Sequence, residues 1–522
     1  MSATEHREIE RKYDVEAGAA LPSLVTLPGV DRVEQRPPVE LDAIYLDTDD
    51  LALARARITL RRRTGGGDEG WHLKLPARKD VRRELHAPLG DPPTGEDGQE
   101  DLTRLEVAAD LLPHVLAHTR GRALTPVVRL TNQRVTTELY AGDEARTFLA
   151  EVCSDTVTAT PLRAGVDPSA WSEWEVELVD GPVPLLDAVE RVLLAGGAHP
   201  AAGPSKLARA LGPLAPPPPA VHTVPKKPTA GQVMMAALQT TVERLKAEDA
   251  GARTGAPDAV HQMRVATRRL RTLLSTYGPL LNDELTTHLR TELKVLADTL
   301  GGARDAEVLR ERLLALVETQ PSQAVLGPVA DRIDTELGKD YERAMTRLRR
   351  GLEHERYYAL LDELDALVTA PRTTPLADDP ARLVVPRLLG RDWRRMRRAV
   401  RQASAIDDPA RAETALHEVR KAAKRLRYAA ESTTVVLGLR GKQLGKSSEN
   451  LAEVLGEHQD SAITQEALRD LGLRAQRHGE NAFTYGRLQG IEEALQGELA
   501  SKDYRKAVGK VAKRRLKGWK QV

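Results

Sequence analysis

Residues 8–12 read E-I-E-R-K. On a β-strand alternate side chains share a face, so Glu8, Glu10 and Lys12 point one way and Ile9, Arg11 and Tyr13 the other. The same charged alternation returns along the first 200 residues. Arg61 and Arg63 share a face in RITLRRRTG, as do His72 and Lys74 in WHLKLP and Arg82, Glu84 and His86 in VRRELHAPL. Glu151, Cys153 and Asp155 fall together in FLAEVCSDTV, and Glu173, Glu175 and Glu177 in WSEWEVELVDG. Arg129 and Arg134 in PVVRLTNQRVTTEL are oddly spaced, so a bulge or bend is needed to bring both to one face. Trp71, Leu73, Leu85, Trp174 and Val176 occupy the opposite faces.

Strands of this kind fit a closed antiparallel barrel that is polar inside, encloses a ligand and is packed on its outside by helices. Two carboxylates ~4 Å apart at an effective dielectric of ~20 repel by about 4 kcal/mol. A divalent cation relieves that repulsion, and oxygen ligands that leave waters on the metal are the Mg2+/Mn2+ arrangement. The arginines and lysines then need an anion with several oxygens. A short chain of phosphates bridged by cations satisfies both sets.

A second constellation lies further on. VHQMRVATRRLRTLLSTY from Val260 aligns with LHEVRKAAKRLRYAAEST from Leu416, and LADTLGGARDAEVL from Leu296 with LAEVLGEHQDSAIT from Leu451. At roughly 100° per residue, His261, Arg264, Arg268 and Arg271 fall within a sector of about 80°, with Met263, Leu270 and Leu274 opposite. His417, Arg420, Lys424 and Arg427 repeat the sector, with Val419 and Leu426 opposite. An internal duplication predicts two helical bundles related by a pseudo-two-fold axis. Guanidinium groups grip phosphate oxygens bidentately and lysine adds a mobile point charge. The histidines can donate to a phosphate or cap the helix start. No H-x-x-x-H or cysteine accompanies them as metal ligands would require. Aromatic residues make up 3% of the chain, too few to interleave stacking rings with the charge, which disfavours nucleic acid as the partner.

The elements that must hold these residues divide at GPLAPPPPAVHTVPKKPTAG, whose prolines read as a semi-rigid extended linker. Before it, short Val-, Thr- and Arg-rich segments alternate with turn clusters such as TGGGDEG and GDPPTGEDG. After it, apolar residues recur at three- and four-residue spacing, the pattern of amphipathic helices. The predicted class is α+β, a barrel domain followed by an all-α domain. Charge divides the same way: residues 1–220 carry 25 Lys and Arg against 35 Asp and Glu, a net of −10, and the remainder 52 against 41, a net of +11. Opposite signs point to two different tasks. No apolar run approaches the roughly 18 residues of a membrane span, and the charged N-terminus does not read as a secretory signal. The one cysteine, Cys153, allows no intrachain disulfide, reads as a small buried hydrophobe and suits a reducing cytosol. A cytoplasmic protein is expected.

E-I-E-R-K fits the ExExK signature of the CYTH domain, the triphosphate tunnel metalloenzyme family. YLDTDDLAL, LRRR, WHLKLP, RREL, WEVEL and GPSKLARAL follow in that domain's order. The resemblance covers residues 1–212 and implies an eight-stranded antiparallel tunnel with flanking helices, binding triphosphates with Mg2+ or Mn2+. It makes Glu8, Glu10, Glu175 and Glu177 the metal side, with Glu8, Glu10 and Lys12 catalytic. Lys12, Arg61, Arg63, Lys74, Arg82, Arg129 and Arg134 would hold phosphates, Glu84 would support them, and Lys206 would close one mouth. Tyr45 and Asp47 are assigned structural work. The basic repeats resemble the CHAD domain over residues 229–512, after a linker at 213–228 and before a basic tail at 513–522. That implies long-chain inorganic polyphosphate bound by His261, Arg264, Arg268, Arg271, His417, Arg420, Lys421, Lys424 and Arg427, and an enzyme held at polyphosphate granules. Tunnel family members include inorganic triphosphatases, thiamine triphosphatases and class IV adenylate cyclases. No aromatic clamp for a base stands among the tunnel-facing positions, so the expected activity is hydrolysis of inorganic triphosphate to pyrophosphate and phosphate. The alternatives are a tunnel acting on thiamine triphosphate or ATP, and a non-catalytic polyphosphate-binding scaffold.

Overall fold

The computed structural model describes residues 4–78, 81–90, 102, 105–142, 147–217, 219–498 and 503–514. It divides into two compact units, Met1–Pro219 and Ala220–Val522. The first holds strands β1 (Thr4–Val15), β2 (Arg32–Gln35), β3 (Val39–Asp47), β4 (Thr59–Thr64), β5 (Gly70–Arg78), β6 (Val81–Ala87), β7 (Thr125–Ala141), β8 (Thr147–Pro161), β9 (Ser169–Leu178) and β10 (His199–Pro200). Its helices are α1 (Ala52–Arg55), α2 (Leu116–Thr119), α3 (Pro184–Ala195) and α4 (Lys206–Leu211).

Eight strands close a ring in the order β1-β6-β5-β4-β3-β7-β8-β9, each pair antiparallel, with β9 returning to β1. Register sets charge against charge inside: Glu10 lies opposite Glu177, Lys12 opposite Glu175, Glu8 opposite Arg82, Lys74 opposite Glu84 and Arg134 opposite Asp155. The apolar core therefore sits outside the barrel wall. Tyr13, Trp174 and Val176 pack against Leu186, Val189 and Leu193 of α3, and Trp71, Leu73 and Leu85 against Leu111 and Val115. Each large side chain buried there contributes about 1.5–3 kcal/mol.

One end of the barrel is filled. The Ser205 hydroxyl caps α4 by accepting from the Ala208 amide at 3.1 Å. Leu207, Ala210 and Leu211 then pack among Tyr45, Leu130, Val157 and Trp171, which face inward at that end. Asp47 ties down the start of α1, its carboxylate accepting from the amides of Thr48 (2.7 Å), Leu53 (2.9 Å) and Ala54 (2.8 Å).

The second unit holds α5 (Ala230–Ala247), α6 (Asp249–Thr254), α7 (Ala259–Thr276), α8 (Asp283–Glu318), α9 (Val329–Glu353) and α10 (Glu355–Thr369). These are followed by α11 (Ala381–Ala403), α12 (Pro409–Ser432), α13 (Thr434–Leu437), α14 (Leu439–Arg477), α15 (Phe483–Glu498) and α16 (Tyr504–Lys513). The succession α5-α7-α8-α9 is repeated by α11-α12-α14-α15, giving the two pseudo-symmetric bundles. Their far ends share a core of Leu313, Ile333, Leu468 and Leu488. A capping box at Thr229 and Gln232 starts the first bundle. Asp392 binds Thr276 Oγ1 at 2.7 Å and pairs with Arg425, pinning α7, α11 and α12 together. No helix among the described residues is long and apolar enough to cross a membrane. Most of the tail expected at 513–522, residues 515–522, lies outside the described residues.

Candidate functional site

The barrel interior encloses a cavity of ≈ 460 Å³ lined by Glu8, Glu10, Lys12, Arg61, Arg63, Lys74, Arg82, Glu84, Arg134, Glu175, Glu177 and Lys206. Strand alternation, with Lys206 supplied by α4, thus brings together every sequence-assigned tunnel residue except Arg129. That residue is a correction. The β7–β8 register runs unbroken from Val128 to Leu139, so no bulge intervenes and Arg129 keeps the face opposite to Arg134. Arg129 lies on the outer wall, its Nε donating to Asp42 at 3.0 Å.

Ion pairs fill the middle of the cavity. Lys12 bridges Glu10 (2.8 Å) and Glu175, Lys74 donates to both oxygens of Glu8 (2.7 and 2.9 Å), and Arg82 meets Glu10 at 3.1 Å. Arg134 is bidentate to Asp155 at 2.7 Å and reaches Glu175 at 2.8 Å. Burial works to raise Glu10, but Lys12, Lys74 and Arg82 outweigh it and hold its carboxyl down at about 2.

Two poles are only partly compensated. Arg61 makes no ion pair with a described residue, its hydrogen-bond partner being the Tyr45 hydroxyl at 3.3 Å; Arg63 pairs with the exposed Asp68, and the buried Nε groups of both arginines have no acceptor. Burial, then Arg61 and Arg134, pull Arg63 down to about 9, so like charge outweighs opposite charge around it. At the other pole Glu177 forms no ion pair or hydrogen bond with the described residues. Burial, then Glu151, Glu10 and Glu175, push its carboxyl up to about 7. Glu8 is pushed up to about 8 by burial, Glu84 and Glu177 despite its contact with Lys74.

The carboxylates of Asp155, Glu173 and Glu175 lie within 4.8 Å of one another and form an acidic cluster that could hold a metal. Lys206 Nζ sits among them at 2.9, 2.6 and 2.7 Å, so an ammonium neutralises this cluster. Glu177 has no such cation among the described residues, and Glu151 and the Lys74-paired Glu8 lie beside it. Their hard oxygen donors fit a small divalent ion.

Two residues escaped the sequence reading as contributors. Tyr45, assigned structural work, lines the cavity opposite Arg61, a placement fixed by the β3–β4 register. His72 is buried behind Glu84, its Nδ1 2.9 Å from the carboxylate and its Nε2 3.0 Å from the Asp68 carbonyl. Its alternation with Lys74 was the signal for it. Trp171 also faces inward, but at the filled end, where its Nε1 donates to Glu173 at 2.6 Å.

In the helical unit the duplicated stripes converge. Arg264 pairs with Asp305 at 2.6 Å and Arg420 with Asp460 at 3.9 Å, equivalent contacts in the two repeats. Each guanidinium lies over a glycine of the neighbouring helix: an added Cβ would meet Arg264 Nη2 at 3.8 Å from Gly301 and Arg420 Nη2 at 3.2 Å from Gly456. Lys424 feels Arg268 and Arg264 across the repeat boundary. Burial together with Arg268, Arg420 and Arg264 brings it down to about 7. His417 Nδ1 lies 3.0 Å from Gln459 Oε1. His261 is half-buried, and burial and Arg304 hold it below its ordinary value. Arg271 faces Arg290 and Arg268. Arg427 turns to Glu431 (2.9 Å) and Glu449 (2.7 Å), and Lys421 to Glu418, so both are neutralised by carboxylates of their own.

Comparison with known proteins agrees with this division. The CYTH domain matches residues 6–194 and the CHAD domain residues 236–469. The uncharacterized protein Rv2226 of Mycobacterium tuberculosis is 39% identical over 508 residues, 94% of this chain and 93% of its own length. Among solved structures, PptA from Streptomyces chartreusis (TM-score 0.45, 19% identity) covers 54% of this chain and 99% of its own. The CHAD domain from the plant Ricinus communis (TM-score 0.43, 21% identity) covers 56% and 96%. Two domain matches in sequence order, with a relative alike along nearly its whole length, place the chain in the CYTH–CHAD family.

Proposed function

We propose that the barrel hydrolyses inorganic triphosphate to pyrophosphate and phosphate with Mg2+ or Mn2+, and that the helical unit binds inorganic polyphosphate. The observation that carries the first half is a cavity with a cationic end, Arg61 with Arg63, and an acidic end, Glu177 with Glu8, each only partly neutralised by its neighbours. A metal–triphosphate supplies an anion to one and a cation to the other. Members of the CYTH family are triphosphatases and cyclases, which agrees with this class of substrate. No Trp or Phe is among the cavity-lining residues, which favours an inorganic substrate over a nucleotide or thiamine ester.

In this reading Arg61, Arg63 and Arg134 hold phosphate oxygens, and Lys12, Lys74 and Arg82 offset charge on the bridging and leaving oxygens. Glu8 and Glu177, with Glu10 and Glu175 beside them, would hold the cation. When bound, it supplies Lewis-acid polarisation of the phosphoryl group. Water attacks the terminal phosphorus, the P–O bond to pyrophosphate breaks, and the water proton passes to solvent or a carboxylate.

Phosphate release from tripolyphosphate with each metal tests this. Glu8→Gln with Glu10→Gln is expected to cut turnover at least about 100-fold, and wild-type turnover without metal to be at background. Absence of metal-dependent turnover in the wild type would defeat it. The helical reading rests on the convergence of Arg264, Arg268, Arg420 and Lys424. Binding of long-chain polyphosphate unchanged in an Arg264/Arg268/Arg420 triple alanine variant would defeat that half.

A further inference from the structure

Helix α11 carries an arginine-rich face on which Arg394 is half-buried and engaged with its surroundings while the other arginines are exposed. At roughly 100° per residue, Arg387, Arg391, Arg398 and Arg401 fall within about 80° of one another, with Arg395 at one flank. All five are exposed and none makes an ion pair or hydrogen bond with a described residue. Val385, Leu389 and Met396 take the opposite, buried face. The single acidic residue of the helix, Asp392, is buried and already held by Arg425 and Thr276. At 1.5 Å per residue the stripe is about 21 Å long.

The stripe does not stand alone. At its Arg395 flank it meets Arg425 of α12, which lies within reach of the charges of both Arg395 and Arg290. Arg271 of α7 feels Asp298 of α8 as an opposing charge, and also Arg290 of α8 and Arg268 of the central cluster. Arginines on α7, α8 and α12 thus lie between the central cluster and α11, with Asp298 and Asp392 as the carboxylates among them. We infer that these arginines form a track along which a long, base-free polyanion leaves the central cluster and lies down α11, so that the binding site is longer than the duplicated helices alone. The inference rests on the polyphosphate reading above. Ring-free charge favours a phosphate polymer over single-stranded nucleic acid, because Trp393, the helix's one aromatic residue, is buried beneath Arg397 (4.9 Å) and cannot stack on a base.

The test uses the full chain carrying Arg391→Ala, Arg395→Ala and Arg398→Ala, at exposed sites where alanine preserves the helix; retained helicity is checked by circular dichroism. Binding is titrated with polyphosphates of about 10 and about 100 phosphates over a range of salt. Each exposed contact is worth roughly two- to threefold, so affinity for the long polymer should fall about tenfold or more. The slope of log K against log salt should become shallower by about two. Affinity for the short polymer should stay within about twofold. Equal losses at both lengths, no loss at either, or a loss confined to duplex DNA would overturn the track. If wild-type protein binds neither polymer, the polyphosphate reading itself has failed, and the track with it.

Discussion

Lys206 and Arg61 both face the cavity, yet their surroundings demand opposite things. Lys206 is 9% exposed at its side chain and sits among three carboxylates, whereas Arg61 hydrogen-bonds to a tyrosine hydroxyl and feels one carboxylate, Glu84, without pairing to it. Removing one partner from a buried charge cluster costs about 3–5 kcal/mol. Lys206→Met should therefore lower the denaturant midpoint by about that free energy. Arg61→Met removes a cation that has no ion-pair partner among the described residues. It should leave stability unchanged or raised while weakening tripolyphosphate binding at least about tenfold, as read by calorimetry. Lys424 gives a pH signature. Burial and the facing Arg268, Arg420 and Arg264, opposed only by Asp460, place its titration at about 7. The ammonium is present below that pH and lost above it, so polyphosphate affinity should fall roughly three- to tenfold between about pH 6 and 8. Lys424→Arg should flatten the step, since arginine stays charged throughout. An unaltered slope in the variant would assign the pH dependence elsewhere.

Strand faces were legible in the sequence because side-chain period is fixed at two: Glu8, Glu10 and Lys12 share the interior as alternation requires. Arg129 shows where that logic was overruled. Matching it to Arg134 demanded a bulge, and β7 and β8 pair without one there. The strand assignment predicts that Arg134→Ala reduces kcat/KM for tripolyphosphate by at least about tenfold while Arg129→Ala stays within about twofold. Equal losses would mean that the register is wrong. The filled end was legible only through the family resemblance, which has Lys206 closing one mouth. GPSKLARAL reads as a short amphipathic helix, and nothing local says that its apolar side enters a barrel. That depends on Tyr45, Leu130, Val157 and Trp171 arriving from four different strands. The basic stripes of α7 and α12 were readable for the same reason as the strands, a fixed period. The neutralisation of Arg427 by Glu449 comes from a separate helix, α14, and was not.

At the scale of the whole chain, two units carry separate cores and opposite charge. The barrel's apolar residues cluster against α3 and around α4, and the bundles' around α11, α12 and α14. The proline-rich boundary was plain in the sequence because proline can extend neither a central strand nor a helix interior. Separate cores predict two unfolding transitions, and the proposed ligands predict which transition each one moves. A ligand at about 100 times its Kd stabilises the unit it binds by about 2.7 kcal/mol. For units of this size each kcal/mol moves the midpoint by about 2–4 °C, so a shift of roughly 5–10 °C follows. Tripolyphosphate with a non-turnover metal should move only the barrel transition, and long-chain polyphosphate chiefly the helical one. In differential scanning calorimetry, Arg61→Met should abolish the first shift and the Arg264/Arg268/Arg420 alanine variant the second, each leaving the other in place. A single transition moved by either ligand would mean that the units unfold as one body, and that binding in one is felt through the other.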